Sequence, residues 1–393
     1  MSRNNPINPM VLRWARETAG LSLDDVVHKL KRKTITTETI ADWENGNGAS
    51  SPNYVQLEAL AYEIYKRPLA LFFFPAPPEE ETPKQEFRTL PDSEIQLMSP
   101  RMRLLLRQAK SMQINLDELY GGVNPAERQI VRDLKFAQRL DTPLAEQTNA
   151  VRKFLGVELG EQFRWTSAEE AFAAWRNALE HCGLFVFKEA FREDTVSGFC
   201  LYDDRFPLIY VNNSKPPTRQ IFTLFHELAH LLSGTGGIDK PIETYIDALR
   251  GRDKQIEVLC NRFAASFLVP DEDFDQRIKQ MPINEDNVGA LAARYRVSRE
   301  VILRRLLDKR LVTQPYYEQR VEQWQKEARG RSGEGGDYYH TKGVYLGERY
   351  LELVFSRRYQ NKISVDQLAD YLGVKAKNIP GMEALLFPKG VAA

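Results

Sequence analysis

The chain has 393 residues, of which 42% are hydrophobic and 27% charged, a composition typical of a folded protein of two or three domains. Lysine plus arginine and aspartate plus glutamate both number 54, so binding to a polyanion would require a local basic patch. Three scattered cysteines argue against a disulfide framework and for a reducing compartment. Since no apolar run is long enough to cross a membrane, a cytoplasmic protein is expected.

Residues 1–75 are predicted to form an all-α module of short amphipathic helices. Ser22 is suited to cap the second helix and Thr36 or Thr37 the third, because their hydroxyls accept hydrogen bonds from the first helical turn. We expect the third helix to stop near Gly46, where the sequence favours a turn.

Two linkers divide the rest of the chain. A proline- and glutamate-rich linker is predicted at 76–100, and a helical connector follows at 101–164. Three β-rich runs within 183–211 lead directly into a helix that begins near Thr218. A glycine-rich linker at 330–343 separates a C-terminal helical segment.

The most specific signal is the run His226-Glu227-Leu228-Ala229-His230. Residues four apart lie on one face of an α-helix, so His226 and His230 can bind the same metal ion. Glu227 is offset towards a water molecule and is suited to act as a general base. The alternative is an ordinary surface helix end without a metal.

A catalytic zinc site needs a third protein ligand. The other three histidines lie elsewhere in the predicted organisation, so a downstream carboxylate is the better candidate. Glu257, which opens a strongly helical run, is preferred over Glu243 and Asp247, and the alternative is a solvent-facing residue. Asn261, one turn beyond Glu257, is expected to orient the ligands. Cys260 is expected to pack in the core.

Three separated blocks of the chain, within residues 165–312, resemble the ImmA/IrrE metallopeptidase family. The blocks are Ile209-Tyr210-Val211-Asn212, then Arg219-Gln220-Ile221-Phe222-Thr223-Leu224-Phe225 with the His-Glu motif, then Glu257 with Asn261-Arg262-Phe263-Ala264-Ala265 and Leu268-Val269-Pro270. The resemblance implies a gluzincin-like site with Zn²⁺ on His226, His230 and Glu257. Glu227 would be its catalytic base. A repressor-type protein, cut once, is the implied substrate.

The chain departs from this family after the motif helix. Family members often carry a further histidine there, whereas this chain has a glycine-rich run at 232–237. The group that stabilises the transition state is therefore unassigned, with Tyr210 and Tyr245 as candidates and a structural role as the alternative for each. The strand at 209–211 is expected to be an edge strand along which a substrate peptide lies.

Residues 10–74 resemble an Xre/Cro-type helix-turn-helix domain. The matching residues are Leu12, Arg16, Gly20-Leu21-Ser22, Ile40-Ala41-Asp42-Trp43-Glu44-Asn45-Gly46, Leu57, Leu60 and Ala61. Such a module would place its third helix in the DNA major groove, where Thr37 and Thr39 can meet base edges.

A basic cluster precedes that helix. Lys31, Arg32 and Lys33 are well placed to contact phosphates, although a solvated loop is the alternative. Glu38 and Asp42 add negative charge to the predicted recognition helix, and phosphates would oppose it.

The region after the metal site is predicted to contain a second helix-turn-helix, at 288–306, of the sort that closes the peptidase domain in this family. Its arginines are candidates for contact with nucleic acid or a target protein, and a solvated face is the alternative. They are Arg294, Arg296, Arg299, Arg304 and Arg305. Residues 344–386 are predicted to be a small helical appendage for contact with a partner or nucleic acid.

Together these patterns predict an α+β fold: an all-α N-terminal domain, a zincin-like domain with a small sheet, and helical C-terminal segments. The predicted segments are a helix-turn-helix domain at 1–75, a linker at 76–100, a connector at 101–164, a metallopeptidase domain at 165–282, a helical subdomain at 283–329, a linker at 330–343 and an appendage at 344–393.

The leading functional hypothesis is a zinc-dependent endopeptidase and regulator that cleaves a repressor or toxin-like partner protein. The alternative is a DNA-binding transcriptional regulator or antitoxin whose peptidase fold acts mainly in sensing or partner binding. A structural zinc domain is disfavoured, because such sites are closed and rich in cysteine. DNA is an expected partner through the N-terminal module, a membrane is not, and a homodimer is a fair expectation.

Overall fold

The computed structural model describes residues 7–46, 51–80, 95, 98–135, 142–239, 249, 251–328 and 338–386. The chain divides into two compact units. Unit one comprises Met1–Glu86 and Leu90–Gln108, and unit two comprises Phe87–Thr89 and Ala109–Ala393. Most of the predicted linker at 76–100 lies outside the described residues.

Unit one is all-α in its described part. Its elements are α1 (Pro9–Thr18), α2 (Leu23–Leu30), α3 (Thr37–Asn45), α4 (Tyr54–Glu58), a π-helix (Ala59–Tyr65) and a 3₁₀ helix (Leu69–Phe73). A further helix, α5 (Pro100–Tyr120), begins in unit one and continues into unit two.

Side chains cap the short helices of unit one as expected. The backbone N–H of Asp25 donates to the Ser22 hydroxyl at 3.1 Å, and the Asp25 carboxylate accepts from the Ser22 backbone at 2.9 Å. Thr36, rather than Thr37, caps α3. These caps satisfy backbone donors that the first helical turn leaves unpaired.

A buried ion pair joins α1 to α3. Arg16 Nε and Nη2 donate to the two carboxylate oxygens of Glu44 at 2.7 and 2.8 Å. The Glu44 side chain is only 4% exposed, so the two-point contact compensates for its removal from water.

Unit two combines a four-stranded sheet with many helices. Its strands are β1 (Phe185–Glu189), β2 (Gly198–Leu201), β3 (Leu208–Asn212) and β4 (Gly237–Asp239). Its helices are α6 (Ile130–Asp133), α7 (Leu144–Leu155), α8 (Leu159–Gln162), α9 (Ala168–His181), α10 (Pro217–Leu232), α11 (Gly251–Leu268), α12 (Asp271–Ile278), α13 (Glu285–Tyr295), α14 (Arg299–Asp308), α15 (Gln314–Ala328), α16 (Tyr338–Leu346), α17 (Glu348–Tyr359), α18 (Val365–Leu372) and α19 (Ile379–Leu386), with a 3₁₀ turn at Ala376–Asn378. The predicted α+β class is confirmed.

The order of strands in the sheet is β1-β3-β2-β4. β3 pairs with β1 in parallel and with β2 antiparallel, and β4 pairs antiparallel with the other side of β2. The expectation that 209–211 forms an edge strand is therefore wrong. Both hydrogen-bonding sides of β3 are occupied, so no substrate peptide can be added there.

The two faces of the sheet have different coverings. Ile209 and Val211 point into a large core shared with α9, α10 and α11, where the ring of Phe225 stacks on that of Phe267 with centroids 4.1 Å apart. On the opposite face, the Phe187 ring of β1 meets the Tyr350 ring of α17 edge to face at 5.4 Å. The sheet thus lies between two helical layers.

The C-terminal helices differ from the prediction of an appendage after a linker. Residues 338–343, predicted as linker, belong to α16. Arg176 of α9 donates to the carbonyl oxygens of Val344 and Leu346, both at 2.8 Å. Because these contacts bind α16 to the rest of unit two, the C-terminal helices form part of its fold. No helix among the described residues is long and apolar enough to cross a membrane.

Candidate metal centre

The motif helix α10 is buried along most of its length. Pro217 occupies its first turn, where the missing N–H of proline is tolerated. Every residue from 220 to 232 is buried, and a helix that is buried all round belongs to the interior of a domain. The helix is therefore a rigid support for its side chains.

Three side chains from two helices converge at the centre of unit two. Nε2 of His230 lies 3.2 Å from Nε2 of His226. Glu257, on α11, places Oε2 3.5 Å from His226 Nε2 and Oε1 3.3 Å from His230 Nε2. All three residues are at most 3% exposed.

This donor set fits a divalent metal such as Zn²⁺. Two imidazole nitrogens and one carboxylate oxygen, all within 4.8 Å of one another, are the ligands of a three-residue catalytic zinc site with a free fourth position. Burial alone would lower the pKa of His226, but the Asp239 and Glu257 carboxylates outweigh burial and raise it to about 9. The surroundings therefore favour a positive charge at this point.

Glu257 is held in its charged form. Burial acts to raise its pKa, yet the imidazoles of His230 and His226 outweigh burial and bring the pKa well below its usual range. An ionised carboxylate is the form that binds a metal.

Asn261 contacts one of the two histidines. Its Oδ1 lies 3.1 Å from Nδ1 of His226, which fixes the ring with Nε2 directed towards His230 and Glu257. The contact is of the kind that sets the tautomer and orientation of a ligating histidine.

Glu227 lies beside the three converging groups and is fully buried. Its oxygens accept no hydrogen bond of good geometry from the described residues, although the Cys200 thiol lies beside the carboxylate. Burial raises the pKa of Glu227, and the imidazoles of His230 and His226 offset this only in part. A raised pKa makes a carboxylate a better proton acceptor, which suits Glu227 to the role of a general base.

One buried acid near the site was missed by sequence reasoning. Asp239 of β4 accepts a hydrogen bond from the Thr223 hydroxyl at 2.8 Å and forms an ion pair with Arg219 at 2.6 Å. These contacts tie β4 to α10. The sequence signal for this residue was an acid at the end of a short apolar strand. A carboxylate is costly to bury unless it is paired.

The remaining candidates for the site are now placed or lie outside the described residues. Tyr210 stacks on Phe199 with ring centroids 5.3 Å apart, on the sheet face opposite α10. It therefore cannot reach the metal centre. Tyr245, Glu243 and Asp247 lie outside the described residues. Cys260 is buried in the core, as expected.

The predicted DNA-contacting residues lie at the start of α3 and just before it. Lys31, Arg32 and Lys33 are exposed. Thr37 is half-buried, and the Thr39 hydroxyl lies 3.3 Å from the Thr36 backbone N–H as part of the helix cap. The hydroxyl of Thr39 is thus already engaged within the chain. Base contact by these residues stays a prediction.

The arginines of the predicted second helix-turn-helix make contacts within unit two. Arg305 donates to the Ser266 hydroxyl at 3.0 Å and to Asp271 at 2.7 Å. Arg294 covers the Phe163 ring at 3.8 Å. The other three pair as follows: Arg296 with the Trp165 carbonyl, Arg299 with Glu285, and Arg304 with Asp308. These contacts account for the arginines without a nucleic acid.

Residues 179–307 match the family model Peptidase_M78, described as the IrrE N-terminal-like domain. This part of unit two is therefore similar to the IrrE N-terminal-like domain. The match includes both histidines, Glu227 and Glu257, and it extends through α13 into α14. It confirms the resemblance of this part of the chain to the ImmA/IrrE family, while the Xre/Cro-type resemblance of unit one stays a prediction.

Two individual proteins are also similar. The radiation response metalloprotease IrrE of Deinococcus deserti is 34% identical over 99 residues, which are 25% of this chain and 34% of that protein. The chain thus spans about a third of the length of this curated relative. A Mycobacterium tuberculosis transcriptional regulator aligns with a TM-score of 0.29 and 20% identity, over 45% of this chain and 50% of that chain. This TM-score is too low to transfer fold or function.

Proposed function

We propose that this protein is a zinc-dependent endopeptidase that acts as a regulator by cutting a repressor or toxin-like partner protein. The observation that carries the proposal is the convergence of His226, His230 and Glu257 within a domain that matches Peptidase_M78. The Deinococcus deserti relative is named a radiation response metalloprotease, which supports the metal-dependent protease chemistry.

The proposed roles follow from the side chains. His226, His230 and Glu257 would hold Zn²⁺, which supplies Lewis acidity to a water molecule and to the scissile carbonyl. Glu227 accepts a proton as the water oxygen bonds to the carbonyl carbon. Glu227 then delivers that proton to the amine as the carbon–nitrogen bond breaks. Asn261 keeps the His226 ring in place throughout.

Unit one is proposed to bind DNA, with α3 in the major groove. Thr37 and Thr39 would contact bases, and Lys31, Arg32 and Lys33 would contact phosphates. A homodimer on a two-fold DNA site would match the usual symmetry of such modules.

One observation favours the alternative of a regulator that senses or grips a partner without cutting it. His226, Glu227, His230 and Glu257 are all between 0% and 3% exposed, so a substrate peptide does not reach them in this conformation. The intact set of ligands and base favours the enzyme, because partner binding alone has no need of Glu227.

The test is a comparison of newly formed protein N-termini. Zinc-loaded wild-type protein and Glu227→Gln are each incubated with a lysate of the source cells, and new N-termini are identified by mass spectrometry. The proposal predicts one or a few cleavage sites that appear only with the wild type. Identical sets of N-termini from the two proteins would reject the endopeptidase and favour the sensing role.

A further inference from the structure

The two histidines of the centre are supported differently. Nδ1 of His226 lies 3.1 Å from the Asn261 amide oxygen. Nδ1 of His230 is buried and has no hydrogen-bond partner among the described residues. Ligating histidines are normally oriented through this second nitrogen, so among the described residues another feature holds the His230 ring.

That feature is the backbone of β4 at Gly237. A Cβ atom built on Gly237 would lie 2.4 Å from Cγ and Cδ2 of His230 and 2.8 Å from Nδ1. Separations this short are not tolerated between real atoms, so only glycine allows the strand to lie directly against the imidazole. The backbone of Gly237 does not have a positive φ, so the requirement for glycine comes from this close approach.

The chain returns to the histidine through a tight turn. Gly234 adopts a φ of +72° after the end of α10, a conformation that favours glycine. The Thr235 N–H then donates to the His230 carbonyl oxygen at 3.1 Å. The glycine-rich run that departs from the family pattern therefore brings β4 against His230.

β4 has little freedom to move away from the ring. Gly237 pairs with Cys200, and Asp239 pairs with Gly198, in the antiparallel ladder with β2. Asp239 is also anchored to α10 through Thr223 and Arg219. A side chain added at position 237 would therefore displace the imidazole, because the strand is fixed on two sides.

We propose that Gly237 is a positioning residue for His230, and that its lack of a side chain sets the ring for metal binding. The inference rests on the proposed metal site and adds a requirement that the ligands alone do not contain. A methyl group introduced by Gly237→Ala should weaken metal binding without removing any ligand.

The first experiment measures Zn²⁺ affinity of the apoprotein by competition with a chromogenic chelator. Gly237→Ala is expected to bind Zn²⁺ about 10–100-fold more weakly than wild type, as for other changes that loosen a ligating histidine. Gly289→Ala, where an added Cβ meets nothing within 4 Å, should bind as tightly as wild type. Leu291→Ala, a core truncation in α13, should lower thermal stability but leave Zn²⁺ affinity unchanged.

The second experiment needs no metal and remains informative if Gly237→Ala folds poorly. The thermal unfolding of apoprotein is compared for Gly237→Ala, His230→Ala and the double variant. If the added methyl collides with the imidazole, Gly237→Ala destabilises much less in the His230→Ala background.

The outcomes separate the two proposals. Wild-type affinity in Gly237→Ala, or equal destabilisation by Gly237→Ala in both backgrounds, overturns the positioning role. Failure of the wild type to bind Zn²⁺ overturns the proposed metal site instead, and the unfolding comparison still decides whether Gly237 sets the ring.

Discussion

Single residues decide how the proposed metal ligands are held, and each is held by a different contact. His226 has a polar partner in Asn261, His230 has the bare backbone of Gly237, and Glu257 is fixed by the two imidazoles. The spacing of the motif indicates the two histidines and the base, because helix geometry alone places them. The close approach of Gly237 could not be inferred, because it depends on how near a strand returns to the helix.

Asn261 offers a residue-scale test of orientation. Asn261→Ala removes the acceptor at 3.1 Å from His226 Nδ1 and should weaken Zn²⁺ binding about 10–100-fold. Chelator competition on the apoprotein measures the change. Asn287→Ala, at the start of α13 in the same unit, serves as control; equal affinities in the two variants would remove the orienting role.

The buried ion pair of unit one gives a residue-scale stability test. Glu44→Ala leaves Arg16, whose side chain is 14% exposed, without its buried partner, and should destabilise unit one by about 3 kcal/mol. Hydrogen exchange in α1 and α3 measures this destabilisation. Glu17→Ala is the control, because Glu17 is 59% exposed in its pair with Arg16; comparable effects of the two changes contradict the prediction.

At the scale of elements, the sequence predicts the helices well and the sheet neighbours poorly. The caps at Ser22 and Thr36 are local hydrogen bonds, so local residue types reveal them. The neighbours of β3 are not local: β1 joins one side and β2 the other. The sequence of β3 is mostly apolar, and this was the available signal of an interior strand. In the structure all of its residues are buried.

The attachment of α16 to unit two is testable at the same scale. Arg176 donates to the carbonyls of Val344 and Leu346 and pairs with the buried Glu180 at 3.0 Å. Arg176→Leu should therefore increase hydrogen exchange in α16 and α17 and destabilise unit two by about 3 kcal/mol. Arg132→Ala, which breaks an ion pair whose arginine is 54% exposed, should leave exchange unchanged. An unchanged exchange pattern in Arg176→Leu would show that other contacts hold α16.

Across the whole molecule, the two units pose separate questions. Residues 179–307 of unit two are similar to the IrrE N-terminal-like domain, whereas DNA binding by unit one is a proposal. Because the net charge is zero, such binding would depend on a local basic patch. The family resemblance implies a repressor-type substrate, but the individual target protein could not be predicted, because the described residues of the centre carry no feature that selects one.

DNA binding by unit one is tested by removing its basic cluster. The triple change of Lys31, Arg32 and Lys33 to alanine should weaken binding to a short random-sequence duplex. The slope of log affinity against log salt concentration should fall by about 1 for each phosphate that is no longer neutralised. Lys375→Ala with Lys377→Ala, at positions of unit two away from the basic cluster in sequence, is the matched control. A salt slope unchanged by the triple variant argues against the proposed phosphate binding.

His226, His230 and Glu257 are proposed to hold one catalytic metal ion together. The most direct test is the metal content of purified protein by mass spectrometry, for the wild type, His230→Ala, Glu257→Ala and Glu227→Gln. We expect about one Zn²⁺ per chain in the wild type and in Glu227→Gln, and much less in the other two. A wild type free of metal, or a His230→Ala variant that keeps its metal, would rule out this set of ligands.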